Sequence, residues 1–412
     1  MNKKLLVLLL PALLSAQNLR ELITLAQTNN DIVIAKKHSQ EAKAKELDSK
    51  KSEYFPTLDL GGFYKRDDDV SPFQAGDVYS AYAKVDFEIY DGGRRSAQVD
   101  AKKESLKSST FDSTAFKKSL ALNITKNFFA IKSLQASLNA REEAQKTLKA
   151  QLERIKQFYA AKMATLDDVE RVQADFDTNL YNIQTIRFQI LSLKSQLELT
   201  VGKKIATLDS SAFKKEADAA FESLDNIKAS RAQQRAISYN ANAVDSYYYP
   251  NIRIEDKYNL YAYDRLDPLA NQFAKPLDRQ NVLLLSANIR LFDYGRVAKT
   301  QEALKLNAAA LQSQIEYKTK EQKMRYELAV ARIETAKLKI KSAKSALNAA
   351  TSAFETIEKK YNAGIVDYIV YLDALTKKTS SKALYASSLN DLEVAYATYY
   401  YYSGKNILEE LQ

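Results

Sequence analysis

Two long tracts of this chain contain almost nothing that can break a helix. Proline is missing from Phe73 to Tyr249 and again from Leu277 to the end, and glycine is missing from Arg94 to Val201. The 412 residues include only 9 glycines and 6 prolines. So few breakers mean few turns, and hence long regular elements. Within the tracts apolar residues recur at three- and four-residue steps, as in Leu120, Ile124, Phe128, Ile131, Leu134 and Leu138, and again in Leu148, Leu152, Ile155 and Tyr159. That spacing gives each helix one apolar face. It predicts helices over 19–53, 93–160, 167–200, 222–249, 295–362 and 367–402. At 1.5 Å per residue the second of these is about 100 Å long, too long for a compact domain. It belongs in a coiled coil or a tubular bundle.

Four short segments between the helices have period two instead. In Tyr79–Tyr90, Val85, Phe87 and Ile89 alternate with Lys84, Asp86 and Glu88. In Asn281–Phe292, Leu283, Leu285, Ala287, Ile289 and Leu291 alternate with Ser286, Asn288 and Arg290. Strands at 57–66 and 251–263 are less regular, with Ile252, Ile254, Tyr258 and Leu260 keeping the pattern. A strand with one apolar and one polar face, about ten residues long, has the length to cross a bilayer at a tilt.

Composition closes off other routes. There is no cysteine and a single histidine, His38. Disulfides, thiolate nucleophiles, zinc knuckles and imidazole-based chemistry are therefore removed or nearly so, and no nucleophile–base pair or metal cluster can be assembled. The chain reads as a non-enzyme needing no cofactor and no metal. Lys3 and Lys4 precede an apolar run from Leu5 to Leu14, closed by Ser15 and Ala16. This is the pattern of a secretory signal over 1–16, and the run is about half the length of a transmembrane helix. The formal charge of +10 is moderately basic, but export argues against a nucleic-acid partner. Any entry into a bilayer would be by strands.

The sequence also repeats. Asp91-Gly92-Gly93-Arg94 returns as Asp293-Tyr294-Gly295-Arg296, a shift of 202 positions that also relates Tyr159 to Tyr361, Ala161 to Ala363 and Gly202 to Gly404. The layout predicted is a signal (1–16), a first repeat of helix, two strands and a long helical hairpin (17–204), a linker (205–221), a second repeat (222–406) and a short tail (407–412). Four strands per chain are too few to close a barrel, whereas three chains would supply twelve. Tyr54, Phe55, Tyr90, Tyr248, Tyr249 and Phe292 fall at the strand–helix junctions, where aromatic side chains anchor a lipid–water interface. Asp91 and Gly93, with their echoes Asp293 and Gly295, mark where strand gives way to long helix, and the aspartates are placed to cap it.

The signal, the Tyr54-Phe55-Pro56-Thr57-Leu58 segment, the strand end Phe87-Glu88-Ile89-Tyr90-Asp91-Gly92-Gly93-Arg94 with its echo, and Tyr361-Asn362-Ala363-Gly364 followed by Leu372-Asp373-Ala374 together resemble the TolC family of outer-membrane efflux ducts. The resemblance implies an α+β membrane protein. In it a long-helix α-barrel tunnel continues a trimeric twelve-stranded transmembrane β-barrel, with the linker as an equatorial belt. It places the chain in the outer membrane of a Gram-negative-type cell, with its helical part in the periplasm. It further implies export of drugs, toxic small molecules or proteins, as in multidrug efflux or type I secretion. The implied partners are a periplasmic adaptor (membrane fusion) protein, an inner-membrane pump of RND, ABC or MFS type, and outer-membrane lipid.

The same resemblance gives roles to the two helix turns. Lys162, Met163, Ala164 and Thr165 in the first, and Gly364, Ile365, Val366 and Asp367 in the second, are the expected adaptor-contact tips. Thr165 or Asp167 would cap the returning helix of the first turn, and Asp367 that of the second. Asp373 matches one of the family's tunnel-end aspartates, and three copies of it would form a cation-binding constriction. Asp168 and Tyr361 occupy positions of the family's closing latch. The second aspartate of the family is replaced by Val370, however, and its latch arginine by Val366, leaving Arg171 as a substitute. Lys162 stands where the second half has Gly364, so the two tips are expected to differ. Asp67-Asp68-Asp69 lacks the glycine and distal glutamate of a calcium loop and reads as a polar loop tip, and His38 as a surface residue. A secreted structural coiled-coil surface protein is the alternative, but it has no use for period-two strands at matching places in a repeat.

Overall fold

The computed structural model describes residues 17–216, 220–270 and 276–412. The expected signal over 1–16 lies outside the described residues. The elements run α1 (Leu19–Asn29), α2 (Asp31–Ser52), β1 (Thr57–Arg66), β2 (Asp77–Tyr90), α3 (Arg94–Ala160), α4 (Leu166–Val201), α5 (Asp225–Asp245), β3 (Asn251–Asp264), β4 (Arg279–Asn288), α6 (Arg296–Asn362) and α7 (Tyr368–Tyr402). The repeat is thus structural. Each half is a strand pair followed by a helical hairpin, and α3 and α6 both span 67 residues.

The boundaries depart from the sequence pattern in three places. The expected helix 19–53 is two helices, because Asn30 leaves the helical region at φ −69°, ψ 124°. Its side chain serves both ends of the break: Oδ1 accepts from the Ile32 and Val33 amides, while Nδ2 donates to the Thr200 carbonyl at 2.8 Å. The expected helix 222–249 is shorter, covering Asp225–Asp245 before a 3₁₀ turn at Ser246–Tyr248. The last strand ends at Asn288 rather than Phe292, since Asn288 pairs with Asn251 and the next position on β3 is Pro250, which has no amide to donate.

The chain falls into two compact units that cut across the repeat. One takes the residues up to Lys37 with Asp112–Asn226 and Lys318–Gln412. Its main core gathers Leu19, Ile23, Ile124, Phe128, Ile131, Leu197, Phe213, Ile333, Tyr396 and Tyr399 around the linker. Each such side chain fully buried contributes about 1.5–3 kcal/mol. The buried Gln322 fixes the crossing of linker and helix ends, accepting from the Leu224 amide and donating to the carbonyls of Glu222 and Tyr402.

The other unit, His38–Phe111 with Ile227–Tyr317, holds an antiparallel sheet in the order β1-β2-β3-β4. Its register puts Leu58 opposite Val85, Phe87 opposite Ile254 and Ile254 opposite Leu285, so one face is apolar across all four strands, interrupted at Asp256. Leu60 is 80% exposed and Leu285 66% exposed on that face, which one chain leaves uncovered. The opposite face carries Asp59, Lys84, Asp86, Arg253, Glu255 and Lys257. None of the described helices is long and apolar enough to cross a membrane.

Candidate functional site

The strand-to-helix junctions are built alike in both halves. Asp91 Oδ1 accepts from the Gly93 amide at 3.1 Å and Oδ2 from the Arg95 amide at 2.8 Å. Asp293 does the same with Gly295 at 3.0 Å and Val297 at 3.0 Å. Each carboxylate therefore caps the long helix that follows it. The partners beyond the backbone differ, since Asp91 also takes the Arg95 guanidinium at 3.0 Å and Asp293 the Tyr248 hydroxyl at 3.0 Å. Gly93 and Gly295 both have positive φ, 83° and 77°. Tyr54, Phe55, Tyr90, Tyr249 and Phe292 are exposed around these junctions, and Tyr248 is half-buried.

The two hairpin tips share a backbone solution as well. In the first, Lys162 sits at φ 60°, its amide donating to the Tyr159 carbonyl and that of Met163 to Phe158. In the second, Gly364 sits at φ 72°, with the Gly364 amide on Tyr361 and the Ile365 amide on Lys360. Both are helix ends closed by a left-handed residue. Each returning helix is capped: Thr165 Oγ1 accepts from the Asp168 amide, and Asp367 Oδ1 from the Val370 amide at 3.0 Å. Met163 and Ile365 project at 73% and 70% exposure.

Side chains separate the tips. Asp168 is occupied by its own turn, its Oδ2 accepting from the Thr165 amide at 3.0 Å and hydroxyl at 2.7 Å. These donors hold its carboxyl below the usual range. Arg171 pairs with Asp167 at 2.7 Å. Asp168 and Tyr361 are thus not joined by a hydrogen bond. Tyr361 lies instead against Tyr371, ring centroids 4.7 Å apart and nearly parallel, with Tyr368 at 6.3 Å and Phe354 packed on Tyr371 at 5.6 Å. Ala144 and Leu148 of α3 complete this cluster with Ala374 and Leu375 of α7.

Arg154, on α3, ties the first hairpin to the second. Its guanidinium lies 5.2 Å from the Phe158 ring centroid and 5.6 Å from that of Tyr361, and Nη1 donates to Asn362 Oδ1 at 2.7 Å. Below it, burial raises the Tyr361, Tyr368 and Tyr371 hydroxyls, the last to about 12. The Asp175 carboxyl, on α4 beside Tyr368, is also raised by burial. The Tyr368 and Tyr371 hydroxyls, one Asp175 oxygen and the Gln151 carbonyl oxygen are buried without closing hydrogen bonds of ordinary geometry. A seam with four such atoms is held by ring packing more than by polar complementarity. Asp373 is exposed on the face of α7 turned away from Tyr371, Ala374 and Leu375.

Of this region the sequence marks Asp168, Arg171 and Tyr361, whereas the roles of Arg154, Asn362, Tyr368, Tyr371 and Asp175 emerge only in the structure. Tyr361, Tyr368 and Tyr371 at steps of seven and three on either side of the turn were the available signal. His38 is exposed and faces Glu41 at 3.2 Å. Among the described residues no group of three or more histidines, cysteines or carboxylates is placed to hold a metal ion.

A protein-family model described as outer membrane efflux protein matches residues 22–203 and 218–404, one segment in each half of the repeat. Solved structures share the fold. VceC, an outer membrane protein of Vibrio cholerae, superposes with a TM-score of 0.81 at 14% identity over 94% of this chain and 96% of that one. The Campylobacter jejuni CmeC outer membrane channel gives 0.83 at 13% identity over 94% and 85%. The Neisseria gonorrhoeae MtrE outer membrane channel, solved in an open state, gives 0.79 at 16% identity over 94% and 89%. No curated protein sequence matches significantly.

Proposed function

The chain belongs to the outer membrane efflux protein family, and on that premise we propose that it works as a homotrimeric export duct whose second helix tip is the moving gate. The observation that carries this reading is the four-stranded sheet with one apolar face and two open edges, β1 and β4. Uncovered leucines are costly in water and an open sheet edge is costly in lipid, and three sheets joined edge to edge close a twelve-stranded barrel that has no edge and turns its leucines to lipid. The exposed aromatics at Tyr54, Phe55, Tyr90, Tyr249 and Phe292 suit the rim of that barrel.

The gate reading rests on the contrast between the tips. Three Asp373 carboxylates meeting on a three-fold axis form a ring that binds cations and restricts passage. Arg154 and the Tyr361–Tyr371 stack hold the second hairpin closed, in place of an arginine at position 366. The projecting Met163 and Ile365, with Lys162, Ala164, Thr165, Gly364, Val366 and Asp367 around them, offer a surface to a periplasmic adaptor. That adaptor couples the passive duct to an inner-membrane pump, of RND, ABC or MFS type, carrying toxic small molecules or proteins. The test is conductance of the purified protein in planar bilayers. Asp373→Ala is expected to weaken block by divalent cations, and unchanged block would retire the gate.

A further inference from the structure

Two rungs of the sheet place like charges directly opposite one another. Lys84 faces Lys257, and two residues along, Asp86 faces Glu255. Like charges across an antiparallel pair are destabilising, so a sheet that carries two such rungs bears a cost that simple folding would avoid. The neighbours relieve it only in part. Lys84 Nζ leans to Asp59 Oδ2 at 3.8 Å, and Lys257 Nζ lies 4.2 Å from the Tyr82 ring centroid. Arg253 Nε reaches Asp86 Oδ1 at 3.5 Å. Strand β4 adds no compensating charge, contributing Val282 opposite Lys257 and Leu284 opposite Glu255.

All of these side chains lie on the face opposite Leu58, Leu60, Val85, Ile254 and Leu285. If the apolar face meets lipid, the charged rungs line the inside. The rungs are about 7 Å apart along the strands, with the acidic one nearer the α3 end of β2. We infer that the barrel wall carries a two-band ionic filter, acidic on the helix side and basic beyond it, in which Lys84 and Lys257 set the balance between small anions and small cations. This rests on the duct reading, which supplies the closed barrel. Three copies turn each rung into a ring, and rings of side-chain charge bias permeation by sign. A screening length of about 30 Å at 0.01 M salt lets them act across a wide lumen, whereas about 3 Å at 1 M does not.

The experiment is the reversal potential of the full-length protein in planar bilayers under a potassium chloride gradient near 0.01–0.1 M, for the natural protein, the Lys84→Gln/Lys257→Gln pair and the Asp86→Asn/Glu255→Gln pair. Removing the lysines is expected to raise the potassium-to-chloride permeability ratio at least about twofold, and removing the carboxylates to lower it, with both effects fading near 1 M salt. Heat dissociation of the oligomer is read on the same samples. An unchanged ratio in channels that remain stable oligomers overturns the filter. Loss of the oligomer in the lysine variant also overturns it, because the lysines would then be holding the sheet together. A natural protein that forms no channel at all refutes the duct reading itself.

Discussion

The two helix tips have nearly the same backbone and opposite side-chain fates. Tyr159 and Tyr361 are equivalent in the repeat, yet Tyr159 is exposed while Tyr361 is stacked on Tyr371. Leu166 and Val169 stand where the second hairpin has Tyr368 and Tyr371. The first tip is closed locally, by Thr165 and Asp168 within its own turn. The second is closed by contacts reaching to the other hairpin, through Arg154, Asp175 and the tyrosine cluster. A tip held by its own turn keeps its form wherever the helix goes. A tip held by a neighbour can be released by it, which is what a gate requires.

The contrast breaks most severely at Tyr371, whose side chain is fully buried. Tyr371→Ala is expected to cost about 3–5 kcal/mol and to open the second tip to protease, while Val169→Ala at the matching place costs less than about 1.5 kcal/mol. Equal protease sensitivity at both tips would remove the distinction. Arg154→Ala comes next. Losing its bond to Asn362 and its place over Tyr361 costs about 1 kcal/mol, roughly a fivefold shift from closed to open, read as a larger open fraction in single-channel records.

The backbone gives one effect of similar size and one smaller. Both turns need a left-handed residue, strained for any side chain. Gly364→Ala should therefore cost about 1 kcal/mol by thermal unfolding. Lys162→Gly should change stability by less than about 0.5 kcal/mol, since relief of strain is offset by a more flexible unfolded chain. The smallest expected effect is in pH dependence. Burial raises Asp175 above its ordinary value of 3.8. It therefore favours the closed seam fully below that pH and loses this contribution as pH rises through the folded value. Asp168 is lowered by the Thr165 donors, so its contribution holds above about 3.8 and is lost as pH falls. Protection of the second tip from protease should thus weaken as pH rises above about 3.8, and Asp175→Asn should flatten that slope while leaving the first tip unchanged.

Much of the fold was legible because breakers are rare and, apart from Gly61 and Gly62 within β1, those among the described residues fall at element ends or in turns and loops. The 202-residue offset found in the landmarks Asp91/Asp293 and Gly202/Gly404 is the offset between α3 and α6. Asn30 was not legible. Asparagine is tolerated within a helix, and its capping role here depends on Thr200, which is distant in sequence. The end of β4 was hidden for a similar reason, since the alternation through Ile289 and Leu291 continues after Pro250 has ended the pairing on the neighbouring strand. At the tips, lysine in place of glycine predicts that the two differ. Lys162 nevertheless adopts the left-handed conformation of Gly364, and the difference lies in packing that single residues do not announce. Arg154 is not legible in the sequence because it acts from the first hairpin on the second, and neither its spacing nor its neighbours in sequence mark that contact.

The chain contains no cysteine, so introduced thiols are unique. Cysteines placed at Arg154 and Asn362, which touch across the two hairpins, can be joined by a short reversible thiol cross-linker in the full-length protein. The measurement is single-channel conductance before cross-linking, after it, and after its reduction. If the second tip is the moving gate, cross-linked channels stay closed and reduction restores opening. Channels that open equally well while cross-linked would contradict the account.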